Sequence, residues 1–203
     1  MIKVKICGLM NLEDALVAAE AGADALGFVL YSRSPRCVEY KTVKEIMRRL
    51  PPYVTTVGVF ANANVDEILD AMDECDLDLA QLQGDEPPSV CERLGSKAIK
   101  AIRVKDRDSL SPMKNYSVRA FVLDTYTEEN FGGTGKQFDW DLAVEAKQYG
   151  RIILAGGLNP ENVREAIQKV RPYGVDVSSG VEQRIGKKDA EKVRQFIARA
   201  KES

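Results

Sequence analysis

Ile152-Ile153-Leu154-Ala155-Gly156-Gly157-Leu158-Asn159-Pro160-Glu161-Asn162-Val163 packs a strand, a turn and a helix start into one short stretch. Its first four residues are apolar without alternation, the pattern of a strand covered on both faces. Gly156-Gly157 end the run, and Asn159 followed by Pro160 reads as a helix cap with proline in the first turn. Val163, Ala166, Ile167 and Val170 then recur at i, i+3, i+4 and i+7. That spacing predicts an amphipathic helix with one apolar face.

The same unit repeats outward in both directions. Apolar runs at Val4–Ile6, Ala25–Leu30, Thr56–Phe60, Leu79–Leu82, Ala98–Ile102, Ala120–Leu123, Ile152–Ala155 and Val175–Val177 predict strands. Between them, Leu12, Ala15, Leu16 and Ala19 form a helical face, as do Val65, Ile68, Leu69 and Met72, and Val193, Phe196, Ile197 and Ala200. Asn11 and Asn64 stand where caps belong. Segments after Lys41, around Ser89–Leu94, around Asp106–Lys114 and after Asp139 complete the helical set. Strands and helices alternating at roughly 25 residues per unit predict an α/β fold, a (β/α)8 TIM barrel of eight parallel strands. With no linker or low-complexity tract in the sequence, residues 1–203 read as one domain. Such barrels typically take ~250 residues, so the loops must be lean.

Composition narrows the chemistry. Twenty-nine basic residues face thirty-one acidic ones, for a formal net charge of -2, which is not the one-sided basic field of a nucleic-acid binder. No apolar run reaches the ~18 residues of a membrane span. The first residues lead straight into a strand rather than a signal sequence, so the cytoplasm is the expected compartment. Cys7, Cys37, Cys75 and Cys91 form no C-x-x-C pair, so free thiols are expected rather than a zinc site. There is no histidine, and any proton transfer near neutral pH must use Cys, Asp, Glu, Lys or Tyr.

In a barrel of this kind chemistry sits at the carboxyl ends of the strands. Cys7 ends the first strand and Asp124 ends the sixth. Cys7 fits either a small buried hydrophobe or a base whose pKa has fallen modestly. Asp124 fits either a turn cap or an acid whose pKa burial has raised. Gly156-Gly157 after strand seven and Ser178-Ser179-Gly180 after strand eight stand where barrels commonly bind phosphate. Backbone N–H groups there, and a helix starting near Ser179, would favour an anion. Gly132-Gly133-Thr134-Gly135-Lys136 matches no nucleotide-binding motif and reads better as a lid hinge. Arg36 reads either as a solvated surface arginine or as a fork for a carboxylate.

Taken together, these segments resemble the phosphoribosylanthranilate isomerase family. The resemblance is carried by Lys5-Ile6-Cys7-Gly8, Gly22-Ala23-Asp24-Ala25-Leu26-Gly27-Phe28, Ser34-Pro35-Arg36, Val57-Gly58-Val59-Phe60 and Gln81-Leu82-Gln83-Gly84-Asp85-Glu86. It continues in order through Leu123-Asp124-Thr125, Gly132-Gly133-Thr134-Gly135, Phe138-Asp139-Trp140, the stretch quoted first and Gly174–Glu182. The resemblance implies an Amadori rearrangement of N-(5-phosphoribosyl)anthranilate to 1-(2-carboxyphenylamino)-1-deoxyribulose 5-phosphate in tryptophan biosynthesis. It implies Asp124 as acid and Cys7 as base, with Arg36 on the anthranilate carboxylate. Backbone around Gly156, Gly157, Ser179 and Gly180 would lie on the phosphate. No cofactor and no metal are expected, and the partner is a small phosphorylated substrate, handled by a monomer or homodimer. The related isomerase of histidine biosynthesis uses aspartate at the first strand, against which Cys7 argues, and no lysine matches that of indole-glycerol-phosphate synthase. Two positions depart from the family: Leu9-Met10-Asn11 replaces the usual Ile-Thr-Arg, and Gln83 stands where histidine is common.

Overall fold

The computed structural model describes residues 1–126 and 138–202. Strands β1 (Lys3–Cys7), β2 (Ala25–Val29), β3 (Thr55–Phe60), β4 (Leu79–Leu82), β5 (Ala98–Val104), β6 (Phe121–Thr125), β7 (Ile152–Leu154) and β8 (Gly174–Val177) close a parallel barrel in chain order. Helices α1 (Leu12–Glu20), α2 (Tyr40–Met47), α3 (Val65–Cys75), α4 (Pro88–Leu94), α5 (Trp140–Ala146), α6 (Val163–Val170) and α7 (Ala190–Lys201) alternate with the strands. The fold expected from the sequence is the fold observed. The glycine-rich Gly132–Lys136 segment, read above as a lid hinge, lies outside the described residues.

Side chains alternate along each strand, and that alternation divides the core in two. Val4, Ile6, Leu26, Phe28, Leu82, Phe121, Leu123 and Leu154 join one large buried cluster with the apolar faces of the helices. Ile99, Ala101, Val122 and Ala155 form a second cluster, with Leu79 and Ile153 packed against it, inside the barrel. Both faces are therefore covered, which is why the strands read as continuous apolar runs. Lys5, Gln81 and Asp176 are buried polar residues on the inward face, and Gln81 and Asp176 line the cavity at the carboxyl ends of the strands.

Several local expectations need correction. The buried residues of α1 are Asp14, Ala15 and Ala18, while Leu12, Leu16 and Ala19 are only half-buried. Asp14 turns inward because its carboxylate accepts from Lys187 Nζ at 2.6 Å and from the Lys188 backbone at 2.8 Å. Leu69 of α3 is exposed, although Val65, Ile68 and Met72 are buried as expected. The cap of α6 is Asn162 rather than Asn159; Asn159 instead accepts from the Glu161 and Asn162 backbones in the preceding turn. The Asp106–Lys114 segment is a 3-10 stretch, Arg107–Asn115, because Pro112 inside it removes a donor. Asn11 and Asn64 cap α1 and α3 as their positions predict, Asn64 in a reciprocal box with Glu67.

One element has no counterpart in the sequence reading. After β8, the chain forms a small antiparallel hairpin, β9 (Glu182–Arg184) and β10 (Lys187–Lys188). It carries Glu182 and Lys188 back to the barrel mouth, where both are largely enclosed.

Candidate active site

At the carboxyl ends of the strands lies a cavity of about 790 Å3, counting its open mouth. Its walls bring together Cys7, Arg36, Asp124, Gly156, Gly157, Ser179 and Gly180, from five strand ends of the barrel. Every residue singled out from the sequence as a site candidate thus lines one space.

Cys7 is buried at the end of β1, opposite Gly27 in the register with β2. The modest fall in pKa expected of a base is not what the site produces in this state. Burial pushes the thiol up from its ordinary value, and the nearby Lys5 charge opposes that rise. Lys5 shares the inward face of β1, two residues earlier. Its Nζ lies 2.8 Å from Asp176 Oδ2, both groups being buried. Burial works against the Lys5 charge, but Asp176 and then Cys7 hold its pKa above the ordinary lysine range.

Asp124 is the penultimate residue of β6, which runs on through Thr125. It opens toward the cavity it lines and is otherwise enclosed. Burial raises its pKa to about 6, against hydrogen bonds from the Thr125 backbone at 2.8 Å and Gln83 Nε2 at 3.1 Å. Gln81 Nε2 in turn donates to Gln83 Oε1 at 2.8 Å. Gln83, at the position where the family commonly has histidine, is therefore a donor to the carboxylate. A group titrating near 6 retains an acid fraction in the neutral range, unlike an ordinary aspartate near ~3.9.

Arg36 is not a solvated surface residue. It is nearly buried, and its Nε and Nη2 each donate at 2.8 Å to one oxygen of Glu182. Lys188 Nζ donates to the same Glu182 at 3.1 Å and to the Ser178 carbonyl at 3.0 Å. Glu182 is held below the usual carboxylate range by Arg36 and Lys188, although burial alone would raise it. Sequence reasoning missed both Glu182 and Lys188 as site residues.

Gly156 and Gly157 have φ of 78° and 68°, two consecutive left-handed residues that bend the chain around the cavity. A side chain on Gly156 would also run into Thr125 and Asp124. Gly180 serves differently: a Cβ there would collide with the Leu158 carbonyl, so the loops after β7 and β8 pack on each other through it. The helix expected near Ser179 is only a 3-10 turn, Ser179–Val181, which is too short for a helix dipole to matter. Any anion here would rest on loop N–H groups.

Residues 4–199 match the family described as N-(5'phosphoribosyl)anthranilate (PRA) isomerase. A Geobacter sulfurreducens protein named N-(5'-phosphoribosyl)anthranilate isomerase is 54% identical over 201 residues, covering 99% of both chains. The crystal structure of phosphoribosyl anthranilate isomerase from Thermotoga maritima superposes with a TM-score of 0.91 at 42% identity, covering 100% of both chains. A crystal structure of the isomerase in complex with reduced 1-(o-carboxyphenylamino)-1-deoxyribulose 5-phosphate superposes with a TM-score of 0.89 at 42% identity, again over 100% of both chains. Sequence and fold agree along the full length, and the chain belongs to the phosphoribosylanthranilate isomerase family.

Proposed function

We propose that this cavity performs the family's Amadori rearrangement with Asp124 as general acid and Cys7 as general base. Protonation of the furanose ring oxygen by Asp124 lets the C1–O bond break as the amine nitrogen forms an iminium with C1. Cys7 then takes the proton from C2, and the C2–H electrons form the C1–C2 double bond of an enolamine. Tautomerisation of that enol to a ketone completes the aldose-to-ketose conversion. The nitrogen of the substrate is the electron sink.

The observation that carries this reading is the pairing, in one cavity, of a carboxyl group titrating near 6 with a thiol on another strand end. Together they supply one acid and one base in a chain without histidine. Arg36 is assigned to the anthranilate carboxylate and the loops at Gly156, Gly157, Ser179 and Gly180 to the phosphate. The complexed relative holds a molecule with both groups. We assign residues 1–203 to one barrel domain, working in the cytoplasm as a monomer or homodimer; a Thermotoga maritima isomerase is described as dimeric.

Turnover assays with N-(5-phosphoribosyl)anthranilate and the imidazole-carboxamide substrate of histidine biosynthesis, run side by side, test the substrate assignment. Activity confined to the anthranilate compound is expected. Equal activity on both would overturn it.

A further inference from the structure

Lys5 is an expensive residue for the inside of a barrel. It is 5% exposed and Asp176 is 6% exposed, one strand across on β8, where Lys5 pairs with Asp176 in register. Removing two charges from water is costly unless neighbouring groups satisfy them fully. Yet the pair does not close on itself. Asp176 Oδ2 accepts from Lys5, while Asp176 Oδ1 is buried without a hydrogen-bond partner among the described residues. An ammonium has three protons to give, and Asp176 takes one.

The second group beside the ammonium is the Cys7 thiol. Both side chains crowd over Gly27: a Cβ there would lie 2.7 Å from the Cys7 sulfur and 3.0 Å from Lys5 Cε. A glycine at this place in β2 leaves the volume that both side chains share. The other charged groups around Cys7 are Lys188 from the hairpin and Arg36 from the loop after β2, which are engaged by Glu182, and Asp124 across the cavity on β6.

We propose that Lys5 is the positioning residue of Cys7: anchored by Asp176 and given room by Gly27, its ammonium is the counter-cation beside which the thiolate forms. The proposal rests on Cys7 being the base, but its test does not. A purely structural strap between β1 and β8 would leave the thiol's titration indifferent to Lys5. A counter-cation makes the two members of the pair act with opposite signs. Losing Lys5 removes the positive charge that favours the thiolate. Losing the Asp176 charge removes a negative one that disfavours it.

The experiment titrates the Cys7 thiol in the full-length protein, by pH-dependent alkylation with iodoacetamide, using Cys7→Ser to subtract the other cysteines. Lys5→Met should displace the titration to higher pH by about one unit, a tenfold loss of thiolate at a given pH. Asp176→Asn should displace it to lower pH. Gly27→Ala, which crowds sulfur and ammonium apart, should shift the thiol in the same direction as Lys5→Met, and it serves if Lys5→Met does not fold. A folded Lys5→Met, or Gly27→Ala in its place, whose thiol titrates as in the parent overturns the proposal. Turnover of Cys7→Ser checks the base assignment separately, so failure of one is distinguishable from failure of the other.

Discussion

Arg36 and Glu182 meet as a two-pronged ion pair, each of two guanidinium nitrogens 2.8 Å from a different carboxylate oxygen. The contact spans the loop after β2 and the hairpin after β8. It uses two of the five guanidinium protons and fixes the plane of the fork, leaving the rest for a ligand. Glu182→Gln should therefore raise KM for the anthranilate-bearing substrate about tenfold, the worth of one charge-assisted hydrogen bond, with kcat changed far less. Steady-state kinetics decides; a collapse of kcat at constant KM would place Glu182 in the chemistry instead.

Arg36→Met removes the fork itself. Affinity for a reduced product analogue should fall by about a hundredfold, as expected for a buried charged pair left without its partner. Inorganic phosphate should bind nearly as before, because its proposed site lies on the loops after β7 and β8. Calorimetric titration of both ligands separates the two ends. An equal loss for both would point to a general disturbance of the cavity.

Asp124 carries a stability signature that follows from its raised pKa. A carboxyl group that titrates near 6 when folded and near ~3.9 when unfolded binds protons preferentially in the folded state. Ionising it therefore destabilises the fold, fully above pH 6 and not at all well below 4. Asp124→Asn, which keeps the shape without the charge, should be more stable than the parent at neutral pH by about 1–3 kcal/mol. The advantage should shrink as pH falls from 6 to 4. Thermal melts across that range test this; an Asn variant of equal stability at every pH would contradict it.

The loops after β7 and β8, assigned above to the phosphate, should respond differently position by position. Ser179→Ala should change KM less than about threefold, since backbone donors survive side-chain truncation. Gly156→Val should raise KM strongly, because it combines a left-handed backbone with a collision into Thr125 and Asp124. Gly180→Val should lower the melting temperature as well, since its side chain would meet the Leu158 carbonyl. A fully active and stable Gly180→Val would show that the two loops do not pack as described.

The barrel was legible in the sequence because its strands are covered on both faces, so runs such as Phe121–Leu123 and Ile152–Leu154 stand out as uninterrupted. Cys7, Asp124 and the glycine loops were legible for a related reason, since strand ends locate the mouth of a barrel. The hairpin was not. Glu182–Arg184 and Lys187–Lys188 are short and charged, and their stability comes from contacts with α1 and Arg36 that no local period announces. Lys5 and Asp176 could have been found. Once Cys7 faces inward, the two-residue alternation sends Lys5 the same way, and Val175 and Val177 on the outer face send Asp176 inward. The face of α1 misled because Asp14 is buried for its bonds to the hairpin, and apolar spacing carries no trace of that.

The central claim is that Asp124 and Cys7 divide the acid and base work of the isomerisation. Its most direct measurement is the turnover of N-(5-phosphoribosyl)anthranilate by Cys7→Ser and by Asp124→Asn, alongside the affinity of each variant for the reduced product analogue. Each substitution should lower kcat by at least about a hundredfold, the lower range for general acid–base catalysis, while analogue affinity stays within a few-fold of the parent. Near-normal turnover in either variant, with binding intact, would contradict the account.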